Sequence, residues 1–109
     1  MAVTQKVTVT IAASGTTSAA VAVGAGVPVG IAFPAALTGT AVTFQVSQDG
    51  VTYRNLYDAG AAYSVTFTAS VYEGLKAALF AGAAFVKVIS NGTEAAERTI
   101  ELVTRRGDA

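Results

Sequence analysis

The chain has 109 residues, seven basic and seven acidic side chains that cancel, 13% charged and 52% hydrophobic residues, and no cysteine, histidine or tryptophan. That composition leaves no disulfide, no thiolate or imidazole metal ligand, and no Ser-His or Cys-His nucleophile–base pair. Nucleic acid, whose binders carry a basic excess, is not an expected partner. The length predicts one domain over residues 1–109 with a single core.

Period-two alternation dominates from the start. Val3, Val7, Val9 and Ile11 share one parity and Thr4, Lys6, Thr8 and Thr10 the other, which predicts a strand with one apolar face. Ser14-Gly15-Thr16-Thr17-Ser18 reads as a turn, and Ala19, Val21 and Val23 as a short strand interrupted by Gly24-Ala25-Gly26. Val27, Val29, Ile31 and Phe33 form a further alternating set that Pro34 ends. The apolar stretch over 19–36 is broken at Gly24, Gly26, Pro28, Gly30 and Pro34, so no membrane span is predicted. The N-terminus has no charged region followed by a long apolar core, so no secretory signal is expected.

Leu37-Thr38-Gly39-Thr40 is a turn into the segment with the strongest local signal, Phe44 to Tyr57. Two alternating runs flank Asp49-Gly50, the pair suited to a two-residue type I′ turn. That turn sets Val46 opposite Tyr53, Gln48 opposite Val51 and Gln45 opposite Arg54. Val42, Phe44, Val46, Val51, Tyr53 and Tyr57 then share a dry face. Thr43, Gln45, Ser47, Thr52 and Arg54 share a wet or partner-facing one.

Asp58-Ala59-Gly60 is another turn, followed by a strand marked by Tyr63, Val65 and Phe67. Val71 to Phe80 admits a short helical turn, weakened by Gly74. Phe85 to Ser90 reads as a strand buried on both faces, and Thr99 to Thr104 as the closing strand. A two-residue hairpin at Asn91-Gly92 spoils the facing of Ile100, so a longer loop through Asn91–Ala96, or a bulge, is predicted. Arg105-Arg106-Gly107-Asp108-Ala109 reads as a loose or docked tail. The whole predicts an all-β fold: a single antiparallel β-sandwich or jelly-roll-like barrel of about seven to nine strands.

Chemistry is sparse. Asp49 and Asp58 occupy turn positions, and Glu94, Glu97 and Glu101 could lie near one another but Glu97 and Glu101 alternate outward, so neither a lined carboxylate pair nor a phosphate loop is spelled out. A calcium site at Ser47-Gln48-Asp49-Gly50 would need six or more oxygens, and the turn alone accounts for the Asp and Gly. No cofactor and no catalytic or metal-ligating residue is expected. Tyr53, Tyr57, Tyr63 and Tyr72 form either an aromatic binding surface or the rim of a small core. Gln45, Arg54, Tyr53, Tyr57, Arg105 and Arg106 are the candidate partner contacts, together with the N-terminal strand.

Ser14–Ser18, Gly30-Ile31-Ala32-Phe33-Pro34-Ala35-Ala36-Leu37-Thr38-Gly39-Thr40, Phe44–Tyr53, Asn55-Leu56-Tyr57-Asp58 and Glu97-Arg98-Thr99-Ile100-Glu101-Leu102-Val103-Thr104-Arg105 together resemble a family of small virion proteins of tailed bacteriophages. The resemblance implies a non-enzymatic structural component, a capsid decoration or cement protein or a head-spike base. It further implies a place on the capsid exterior or elsewhere on the head, capsid or neighbouring virion proteins as partners, and a homo-oligomer, by expectation a trimer. Ser47-Gln48-Asp49-Gly50-Val51-Thr52-Tyr53 is also similar to the Ser-x-Asp-Gly-x-Thr-Trp hairpin of discoidin-like carbohydrate-binding sandwiches, with Tyr53 in place of tryptophan. That second likeness implies a glycan- or host-surface-binding module, with Tyr53 and Tyr57 as stacking platforms.

Overall fold

A computed structural model describes residues 3–23 and 26–106. The expected interruption at Gly24-Ala25 and the end of the tail, Gly107 to Ala109, lie outside the described residues. In chain order the elements are β1 (Val3–Ile11), β2 (Val21–Ala22), β3 (Val27–Ala32), β4 (Ala41–Ser47), β5 (Arg54–Asn55), β6 (Tyr57–Asp58), β7 (Ala61–Ala62), β8 (Val65–Thr66), β9 (Tyr72–Gly74), α1 (Ala77–Phe80), β10 (Phe85–Ser90) and β11 (Arg98–Arg106). Among the described residues no helix is long and apolar enough to cross a membrane.

The strands form two antiparallel sheets. One has the order β1-β11-β3-β9; the other runs β2-β10-β4-β5, with β8 also paired to β4. β6 and β7 make a separate two-stranded hairpin. Val9, Ile11, Ile31, Ile100 and Leu102 from the first sheet meet Val42, Phe44, Val86 and Val88 from the second, all nearly sealed from solvent. The architecture is therefore an antiparallel β-sandwich, not a closed barrel.

The alternation that predicts β1 and β11 is realised without interruption. All nine residues of β1 pair with β11, from Val3 opposite Arg106 to Ile11 opposite Arg98. Val7, Val9 and Ile11 turn inward with Leu102 and Ile100, while Lys6 and Thr8 turn outward with Val103 and Glu101. Arg105 and Arg106, expected in a tail, are the last residues of β11, because the ladder to β1 continues through them.

β3 departs from its predicted alternation. The register to β11 shifts between Val103 and Thr104, so Gly30 faces Val103 and Pro28 faces Thr104, leaving Val29 as the extra residue of a bulge. The bulge also explains how a proline lies within a sheet: β9 reaches only Gly30 to Ala32, so Pro28 has no ladder partner on that side.

β10 alternates after all. Val86, Val88 and Ser90 are buried and Phe85, Lys87 and Ile89 half-buried, because only one side of this sheet faces the core. The helical option over 71–80 resolves into β9 followed by a single turn, α1, which delivers Phe80 to the core edge-on to Phe44 with ring centroids 5.2 Å apart. The described strand segments number eleven, above the expected seven to nine, in part because Leu56 dives into the core and splits the segment after Arg54 into β5 and β6.

Candidate interaction surface

The Asp49-Gly50 hairpin does not form in the predicted register. Val46 pairs with Arg54 and Gln45 with Asn55, one residue further along than a two-residue loop allows. A type I′ turn needs positive φ at both central residues. Gly50 has φ 77°, but Asp49 is not among the positive-φ residues.

Side-chain acceptors explain the wider loop. The Ser47 hydroxyl accepts from the amides of Asp49 at 3.2 Å and Gly50 at 2.9 Å. Asp49 Oδ1 accepts from the amides of Val51 at 2.9 Å and Thr52 at 3.0 Å, and from Ser47 Oγ at 3.0 Å. The amides of Thr52 and Val51, then the Ser47 hydroxyl, hold the Asp49 carboxyl down at about 2. The two-residue loop occurs instead at Ala59-Gly60, where φ is 53° and 85° and Tyr57 pairs with Ala62.

The one-residue shift reassigns every side chain after the loop. Leu56 takes the core position, Tyr57 stands 55% exposed, and Val51 is 82% exposed rather than on a dry face. Arg54 shares the side of Val46, not that of Gln45. Gln45 Nε2 donates to Asn55 Oδ1 at 3.0 Å, and Lys87, opposite Gln45 in β10, places its ammonium 4.3 Å from the centre of the Tyr53 ring. One face of Tyr53 is thus occupied by a cation.

The six predicted contact residues do not converge on one site. Gln45 and Tyr53 lie on the outer face of the second sheet, and Arg54 is on the opposite side of β5. Tyr57 belongs to the small hairpin, while Arg105 and Arg106 close β11 beside Thr4 and Val3. Tyr63 is half-buried against the core, stacked on Phe44 at 5.9 Å. Tyr72 lies across Gly30, where any Cβ would collide with its ring. No cavity and no group of three or more acidic, His or Cys side chains is present among the described residues.

What the sequence reading missed is the role of Glu94, which is fully buried and does not gather with Glu97 and Glu101 into one acidic group. Its Oε1 accepts from the Thr38 amide at 2.8 Å and Arg98 Nε at 2.9 Å. Oε2 accepts from the Gly39 amide at 3.0 Å and Ser90 Oγ at 2.7 Å. Burial opposes ionisation, but the Thr38 amide, the Ser90 hydroxyl, the Gly39 amide and Arg98 together outweigh it and hold the carboxyl at about 2. The Glu94 backbone also exchanges hydrogen bonds with Ser14 and Gly15, so one residue ties three loops at one end of the sandwich. With both oxygens satisfied and sealed, this is a structural clasp. Its only sequence signal is the Glu94/Arg98 spacing.

β1 is the conspicuous surface feature. It is nine residues long and pairs only with β11 among the described residues, so its other edge presents unpaired backbone donors and acceptors.

No family model and no curated protein matches the chain. Among solved structures it is similar to the carbohydrate-binding module CBM32-1 from a family 31 glycoside hydrolase of Clostridium perfringens, with TM-score 0.44, 11% identity, 94% of this chain covered and 76% of that chain. At 11% identity there is no basis for transferring a ligand or a binding residue. The fold itself defines the class, an antiparallel β-sandwich with one long free edge.

Proposed function

We propose that this chain is a non-enzymatic structural protein that acts through protein–protein contacts along a strand edge. The setting is the one its sequence resemblance implies, the head of a tailed-phage particle, with capsid or neighbouring virion proteins as partners. The observation that carries this reading is the free edge of β1, nine residues in unbroken register with β11. Such an edge binds by strand addition, in which main-chain hydrogen bonds supply the adhesion. Mass spectrometry of purified particles made by the genome that encodes the chain tests it. The protein should be present at a fixed stoichiometry; its absence would overturn the virion assignment.

A second reading, glycan binding, is favoured by one observation: Tyr57 and Tyr72 stand 55% and 56% exposed. Aromatic faces of this kind can stack on sugars. A glycan array with specific binding that Tyr57→Ala abolishes would support it, and an array without binding would remove it.

A further inference from the structure

Among the described residues five strands lie at edges of the two main sheets: β1 and β9 in one, β2, β5 and β8 in the other. β9 has three residues and β2, β5 and β8 two each, too short to template a partner. β1 has nine. Edge strands are ordinarily guarded by short length, lysine, proline, bulges or inward-pointing charges. β1 has no proline and no bulge, and its inward side chains Val7, Val9 and Ile11 are apolar. Its one guard is Lys6, which points outward and is matched within the chain by Glu101, Nζ to Oε2 3.3 Å.

We propose that β1 pairs with β1 of a second copy of this chain, antiparallel, about a twofold axis at Val7, joining two four-stranded sheets into one. The inference rests on the reading of β1 as the working edge and names its occupant. Val7 is the midpoint of β1, so this register overlaps the whole strand.

The charges argue for a copy of the same chain. In this register Lys6 stands opposite the partner's Thr8, and Thr4 opposite the partner's Thr10. Within each copy Thr8 faces Glu101. Each Lys6 therefore lies between its own Glu101 and, one strand further on, the partner's Glu101. Two lysines and two glutamates close a neutral group around the axis. Centring the pair on Lys6 instead would set the two ammonium groups directly opposite, which is destabilising.

The threonines around them make favourable cross-strand pairs. A twofold pairing also consumes both edges and closes with two copies, so the sheet does not grow into a fibre. This edge accounts for a pair; an expected trimer would need a further contact.

Sedimentation velocity on the full chain, with circular dichroism melting as the fold control, tests the proposal. The wild type should sediment as a dimer that dissociates on dilution. In the monomer Thr8→Lys places its new ammonium opposite Glu101, which preserves the fold. In the pair it faces the partner's Lys6 and should raise the dimer dissociation constant at least about tenfold. Lys6→Glu combined with Thr8→Lys restores opposite charges across the axis and should restore the dimer.

A wild type that is monomeric at every concentration, a dimer that Thr8→Lys leaves intact, or a double variant that stays monomeric would each overturn it. Should Thr8→Lys melt early, the double variant and wild-type β1 amide exchange against concentration decide instead. Exchange that does not slow on concentration would count against the proposal. A monomer still found in particles would remove the second copy and leave the structural reading standing.

Discussion

Glu94 Oε1 and Arg98 Nε are 2.9 Å apart, four positions apart in sequence, with the carboxylate sealed from solvent and Arg98 only 19% exposed. Losing one member of such a pair leaves the other buried or turns it out of its place. Glu94→Gln sets an amide nitrogen against a backbone amide that can only donate, Thr38 at one oxygen position or Gly39 at the other, and should destabilise the fold by about 3–5 kcal/mol. Chemical denaturation of the two proteins measures the difference.

The same clasp contributes to the acid limb. Glu94 titrates at about 2 in the folded chain against an ordinary 4.5, so the folded state takes up its proton less readily than the unfolded one. The stability it contributes is complete above about pH 4.5 and is lost as pH falls from there through about 2. Melting temperature against pH should fall in that window for the wild type. Its slope there should be shallower for Glu94→Gln.

Gly39 is the close approach that lets the clasp shut. A Cβ there would lie 2.2 Å from Ser90 Oγ and 2.6 Å from Asn91 Oδ1. Gly39→Ala should cost about 1–3 kcal/mol through overpacking. Gly82→Ala, where a Cβ meets nothing within 4 Å, should change stability by no more than about 0.5 kcal/mol. Paired denaturation curves distinguish them.

The sandwich was legible where burial is one-sided and repeats every second residue. Val7 and Val9 pair with Leu102 and Ile100, so pattern and structure agree over the predicted Thr99 to Thr104, while the continuation of the ladder through Arg105 and Arg106 carried no apolar signal. The clasp was not legible, because two of Glu94's partners are backbone amides at Thr38 and Gly39, more than fifty residues away, and backbone amides carry no sequence signature. The Asp49 turn misled for a similar reason. Asp-Gly suits a type I′ turn, but here the Asp carboxylate and the preceding serine capture amides of the loop itself and widen it.

Asp49→Ala should therefore act locally. The amides of Val51 and Thr52 lose their acceptor and should exchange with solvent much faster, while protection across Val86 and Val88 stays unchanged. Site-resolved hydrogen exchange reads both. Equal loosening at the core strands would contradict the local account.

Ala59 adopts φ 53° in the two-residue loop, a left-handed conformation that disfavours a Cβ. Ala59→Gly should raise stability by about 0.5–1 kcal/mol, seen as a higher melting temperature.

The free edge of β1 is the centre of the account, and backbone exchange on that strand tests it most directly. In dilute solution, amides of β1 that point away from β11 should exchange as open groups, while their neighbours bonded to β11 stay protected. Once the chain is assembled, the outward set should become protected as well. Outward amides already protected in the dilute monomer, or never protected in the assembly, would contradict it.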